Sequence, residues 1–119
     1  MSSEFLFYTM LAFLFTHELD AVKRHEWRIL PLTSFLPERL GEQVFIWVHV
    51  PLFLAILWFA GSNPNSGFAL LLSAFSIVHV GLHWLFRNRP RNEFNTLGSW
   101  ALILATGLFG TLHLLATSL

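Results

Sequence analysis

The sequence predicts an all-α integral membrane protein, a four-helix bundle, and three observations carry that expectation. The 119 residues are 55% hydrophobic and only 12% charged, with 13 phenylalanines, far from the composition of soluble domains. Four apolar runs, roughly 4–22, 43–60, 67–86 and 96–117, are each long enough to cross about 30 Å of hydrocarbon as a helix. All seven basic residues, Lys23, Arg24, Arg28, Arg39, Arg87, Arg89 and Arg91, fall between the first and second runs or between the third and fourth. The whole of 1–119 then reads as one transmembrane domain.

The first run is expected to be a permanent helix. It lacks a basic start, leads directly into His17 and Asp20, and shows no small-residue cleavage site of the kind a signal peptide carries. The connection from Lys23 to Glu42 contains Pro31 and Pro37 and reads as an ordered interfacial segment. In the second run Pro51 removes the amide that would bond the Trp47 carbonyl, so a kink is expected just past His49. The connection Gly61 to Ser66 carries no basic residue. Ser73, Ser76, His79 and His83 form a polar stripe on the third run. Thr96, Ser99, Thr106, Gly110, His113 and Thr117 follow three-and-four spacing on the fourth, where small residues permit close helix packing or, alternatively, a proton path.

Charge placement gives the topology. By the positive-inside rule both basic loops belong in the cytoplasm and both termini on the non-cytoplasmic side. Trp27, Trp47, Trp58, Trp84 and Trp100 fall mostly near the boundaries of the runs, where interfacial anchoring is expected. The formal net charge is zero and the basic residues stand beside Glu26, Glu38, Glu42 and Glu93, which argues against a nucleic-acid partner and for membrane lipids as neighbours. With no cysteine, disulfides and thiolate ligands are excluded, so any metal must use histidine and carboxylate.

The basic loops also serve as depth markers, because a helix rises about 1.5 Å per residue. His17 lies six residues before Lys23, His49 seven after Glu42 and His79 eight before Arg87. All three should therefore sit on the order of 10 Å below the cytoplasmic surface, with His83 one turn shallower and His113 near the far side. Lipid offers polar groups nothing, so these side chains should face inward.

His79 and His83 make an HxxxH pair, whose i, i+4 spacing lets two imidazoles hold one ion from a single helix face. His17 and Asp20 add an HxxD pair, and His49 completes a set of five candidate metal ligands of the mixed nitrogen and oxygen type that zinc or iron favours. Glu18 points about 100° away from His17 and is not expected to share the ion. It is the candidate general base, able to take a proton from a metal-bound water. An ion pair with Lys23, Arg24 or Arg28 is its structural alternative, and His25 to Arg28 reads as a solvated charge run at the water boundary.

The helix 1 sequence His17-Glu18-Leu19-Asp20-Ala21, with His79 and His83 ahead of the 87–95 loop, resembles the HXXEE-type small four-helix membrane proteins. Asp20-Ala21 stands where that motif has two glutamates, so a carboxylate ligand is kept only at Asp20. The resemblance implies metal binding and names no reaction. A looser chemical similarity connects Ser76, His79, His83, His17 and Asp20 to transmembrane hydrolases whose zinc is held by an HxxxH pair, a further histidine and a nearby Ser and Asp, although Ser76 stands three residues before His79 instead of four.

Three function classes stay open on these residues. One is a metal-dependent enzyme, a hydrolase or oxidoreductase, acting on a lipid or other apolar substrate in the cytoplasmic leaflet, with Glu18 as base. The second is a b-type haem protein with His49 and His79 as axial ligands. The third is a small accessory subunit of a larger membrane complex, its histidines serving only in packing. Proton or ion transport would require a homo-oligomer, because four helices leave little room for a gated path.

Overall fold

A computed structural model describes residues 1–60 and 63–119, so Gly61 and Ser62 of the second connection lie outside the described residues. The order is α1 (Ser3–Lys23), a single 3-10 turn (Glu26–Arg28), α2 (Glu38–Ala60), α3 (Gly67–Leu85) and α4 (Leu97–Ser118). Among the described residues there are four α-helices and no strand, and each helix is long and apolar enough to cross a membrane. The chain is thus built as a multi-pass integral membrane protein.

Side-chain oxygens start three of the helices. Ser2, Ser66 and Thr96 accept from the amides of Phe5, Ala69 and Ser99, each satisfying one of the four donors that a helix N-terminus leaves over. Pro37 opens α2 instead: its fixed φ suits a helix start, and its carbonyl accepts from the Gly41 amide at 2.8 Å. For this reason α2 begins at Glu38, ahead of the apolar run at Gln43. The apolar run measures the lipid-facing depth, and the helix extends past it toward water. Helical structure continues through Pro51.

Packing is uneven. Helices α1, α3 and α4 form the tight part of the bundle, whereas α2 buries only Gly41, Phe45, Ile56 and Ala60. Helices α3 and α4 approach each other closely at two glycines. A Cβ added to Gly110 would come within 1.9 Å of Ser76 Oγ and 2.8 Å of the Ser73 carbonyl, and one added to Gly107 within 2.5 Å of Val80 Cγ2. Glycine at these positions lets two backbones approach, the use of small residues expected of a membrane interface.

Two apolar clusters flank the polar interior. Phe7, Met10, Leu11, Leu14, Ile56, Ala60 and Ala69 form one, and Ala21, Trp27, Phe45, Phe94 and Ile103 the other. The second cluster is reached through a reversal after α1. His25 sits at φ 55°, ψ 48°, a left-handed conformation costing about 1–2 kcal/mol for a residue with a Cβ. The reversal carries Glu26 and Trp27 back into the bundle. Thr33 Oγ1 donates to the Trp27 carbonyl at 2.8 Å and holds the returning segment. Ion pairs then tie the first long connection to the loop between α3 and α4: Arg28 bonds Glu38 at 2.6 Å and Glu93 at 3.2 Å, and His25 Nδ1 lies 2.7 Å from Glu93.

Candidate metal centre

Four buried side chains from three elements converge beside the 3-10 turn. On α3 the i, i+4 spacing sets His79 and His83 one turn apart, with ring centroids at 4.5 Å and Nε2 atoms at 3.1 Å. Helix α1 brings His17 edge-on against both rings, at 4.7 Å from His79 and 4.9 Å from His83. Glu26 closes the group, its Oε1 standing 3.6 Å from His83 Nε2. Phe94 covers one side, 4.6 Å from the His83 ring and 5.7 Å from that of His17.

Each of the four residues offers one ligand atom, and these atoms all lie within 4.8 Å of one another. A tetrahedral ion with bonds of about 2.1 Å keeps its ligand atoms roughly 3.4 Å apart. The 3.1 Å and 3.6 Å separations within the group bracket that spacing. Three imidazoles and one carboxylate form a donor set that suits zinc, iron and related divalent ions alike. The group can hold a metal ion.

The hydrogen-bond inventory points the same way. His17 is 0% exposed, yet neither of its ring nitrogens has a hydrogen-bond partner, and His79 Nδ1 has none either. A buried polar atom left unpaired costs roughly 1–3 kcal/mol. A coordinated cation would use such nitrogens. Burial also pushes the Glu26 carboxyl up to about 8, Glu18 adding like-charge repulsion while His49 acts in the opposite sense. A divalent cation against this carboxylate would supply the counter-charge that burial denies it.

Helix α1 turns Glu18 to its other side, toward α2. His49 Nε2 lies 2.6 Å from Glu18 Oε2, and His49 Nδ1 lies 2.6 Å from the Phe45 carbonyl. Both neighbours of the imidazole are oxygens, so whichever ring nitrogen carries a proton has an acceptor in place. This dyad and the His/Glu group border one cavity. It holds about 370 Å³ and is lined by Glu18, Glu26, Thr33, His49, His79 and His83 together with apolar side chains. The volume lies near the lower end of the range for small-molecule sites, roughly 300–1,000 Å³.

Of the residues proposed as ligands from the sequence, His17, His79 and His83 are brought together, and Asp20 and His49 are not in the group. Asp20 sits one turn beyond His17, its Oδ1 bonded to Arg24 at 3.2 Å and its Oδ2 buried without a hydrogen-bond partner. His49 is taken up by Glu18. Ser76 donates to the Ser73 carbonyl at 2.6 Å. The member of the group that sequence reasoning missed is Glu26. Within a charged stretch it reads as solvent-facing, but it is only 8% exposed. The available signal was Trp27 beside it, an indole too large to leave in water, which implies that the chain folds back at this point.

Fold and site together define a four-helix membrane protein with a buried His/Glu group able to hold a metal ion. Residues 3–119 match DUF6713, a family of unknown function, and the chain belongs to that family. No curated protein and no solved structure matches significantly, and the comparisons lend no support to kinship with the HXXEE-type proteins or the HxxxH hydrolases.

Proposed function

We propose that this protein is a metal-dependent enzyme acting on a lipid or other apolar substrate within the cytoplasmic leaflet. The observation that carries this reading is the shared cavity, which is lined both by Glu26, His79 and His83 of the His/Glu group and by the paired Glu18 and His49. A divalent ion such as zinc or iron would polarise a substrate oxygen or lower the pKa of a bound water. Glu18, backed by His49, is the proton acceptor in this scheme, and the apolar walls exclude bulk water from the reaction. Asp20 is assigned an outer role. Its free Oδ2, one turn from His17, is suited to orient that imidazole, as carboxylates commonly do behind metal-bound histidines. The cytoplasmic assignment rests on the seven basic residues in the two connections at this end of the chain's helices.

The haem arrangement draws no comparable support, because both ring nitrogens of His49 already face oxygen partners. The test pairs elemental analysis with lipid profiling. Cells producing the wild-type protein should show a changed lipid species by mass spectrometry, and Glu18→Gln should abolish that change while the purified variant keeps its metal. An unchanged lipid profile alongside a metal-loaded protein would remove the enzyme reading and leave a structural ion.

A further inference from the structure

The cavity beside the candidate metal centre differs in its two directions. Toward the water it is roofed. Ile29, Leu30 and Thr33 line it on that side, Thr33 is hooked to the Trp27 carbonyl, Ser34 bonds the Leu30 carbonyl at 2.8 Å, and the Arg28 to Glu38 pair ties the segment to the start of α2. Toward the bilayer there is no such cover. Val44, Val48 and Leu52 on α2 and Phe75 and Leu82 on α3 line the cavity and are also exposed on the outside of the bundle. The i, i+4 spacing of the α2 residues makes them one continuous apolar edge.

We infer that the substrate enters sideways from the bilayer, between α2 and α3, and that it is a single-chain lipid with a small polar end. This rests on the enzyme reading above and adds its substrate class and route. The occupant follows from the lining. One alkyl chain matches the apolar lining, and a hydroxyl, amide or carbonyl end can meet the polar side chains that also line the cavity, Glu18, Glu26, His49, His79 and His83 among them. A cavity of about 370 Å³ that takes one alkyl chain leaves little space for a large headgroup. Nor does any Lys or Arg line this cavity to receive a phosphate, because Arg28 and Arg24 are committed to Glu38, Glu93 and Asp20. Loose packing of α2 provides the passage: its neighbours hold it at few points, so the gap can widen without disturbing the tight packing of α1, α3 and α4.

The probe is a photoreactive hexadecanol, used on the full chain in nanodiscs, with a photoreactive phosphatidylcholine as the second arm. Hexadecanol should label residues 44–52 and 75–86 saturably, with competition by unlabelled hexadecanol. Leu82→Trp should cut that labelling by about tenfold. Val48→Trp, on the opposite wall, should do the same, and both positions face outward enough to accept an indole without refolding. Metal content, measured on the same samples, should stay at the wild-type level. Equal labelling by phosphatidylcholine, or labelling untouched by both tryptophans, would overturn the entry route and the substrate class. Saturable labelling of a protein that carries no metal would instead keep the route and remove the enzyme reading.

Discussion

Two buried histidine groups share the polar stripe of α3, and they solve the same problem differently. Toward the chain termini, Ser73 stands 2.7 Å from His113 Nδ1, and both side chains are wholly buried. Two turns further along α3, His79 and His83 meet His17, whose nitrogens have no hydrogen-bond partner, and a carboxylate that burial drives toward its neutral form. The first group pairs one nitrogen of its imidazole and leaves His113 Nε2 buried without a hydrogen-bond partner, with no other ligand atom gathered around it among the described residues. The second brings four ligand atoms within 4.8 Å of one another, so that one ion could meet them all. The difference shows that a histidine inside a membrane helix is informative through the groups it meets. An unpaired nitrogen occurs in both places, and only where other ligand atoms converge on it does it point to an ion.

The sharpest way to break this contrast is to remove a ligand. His83→Ala should lower metal affinity by more than about tenfold, since losing an outer-sphere partner alone typically costs roughly 10–100-fold. Equilibrium dialysis against zinc and iron(II) measures it, and an unaltered affinity would return His83 to a packing role. Metal removal comes next. If the ion binds only the folded protein, saturation at a hundredfold over Kd stabilises by about 2.7 kcal/mol, so a chelator should lower the melting temperature in detergent. His17→Ala should abolish that chelator response.

Ser73→Ala tests the other group. It strips His113 Nδ1 of its partner and should destabilise by roughly 1–3 kcal/mol while the metal content stays unchanged. Gly110→Ala should destabilise on a similar scale, about 1–3 kcal/mol through overpacking, because its methyl would overlap Ser76. Smallest of all, Arg28→Ala removes partly exposed ion pairs and should change stability by no more than about 1 kcal/mol, with no loss of metal.

Much of the architecture was legible in the sequence, because membrane helices announce themselves by length and hydropathy. The start of α2 was not, since Glu38 to Glu42 is helical by virtue of Pro37 and lies beyond the apolar run. At the site, the HxxxH spacing and the depth argument placed His79, His83 and His17 near one level, and the three side chains lie together in the structure. They could not separate His49 and Asp20 from that group, because depth along a helix says nothing of which neighbour a face meets. Glu26 was hidden for a different reason. Its burial depends on one left-handed residue, His25, and on an indole packing against the start of α2, where Gly41 leaves Trp27 room at 3.1 Å from its would-be Cβ. Neither feature follows from periodicity. The Glu18 and His49 pair was half legible: the outward turn of Glu18 was readable at about 100° per residue, but its partner was not.

The most direct test is elemental analysis of protein purified in detergent without chelator, beside its His17→Ala variant. The expected result is about one divalent transition-metal ion per wild-type chain and a loss of more than about tenfold in the variant. A metal-free wild-type protein that neither zinc nor iron(II) can load, or a variant that keeps its full complement, would contradict the assignment of His17, Glu26, His79 and His83 as a metal centre.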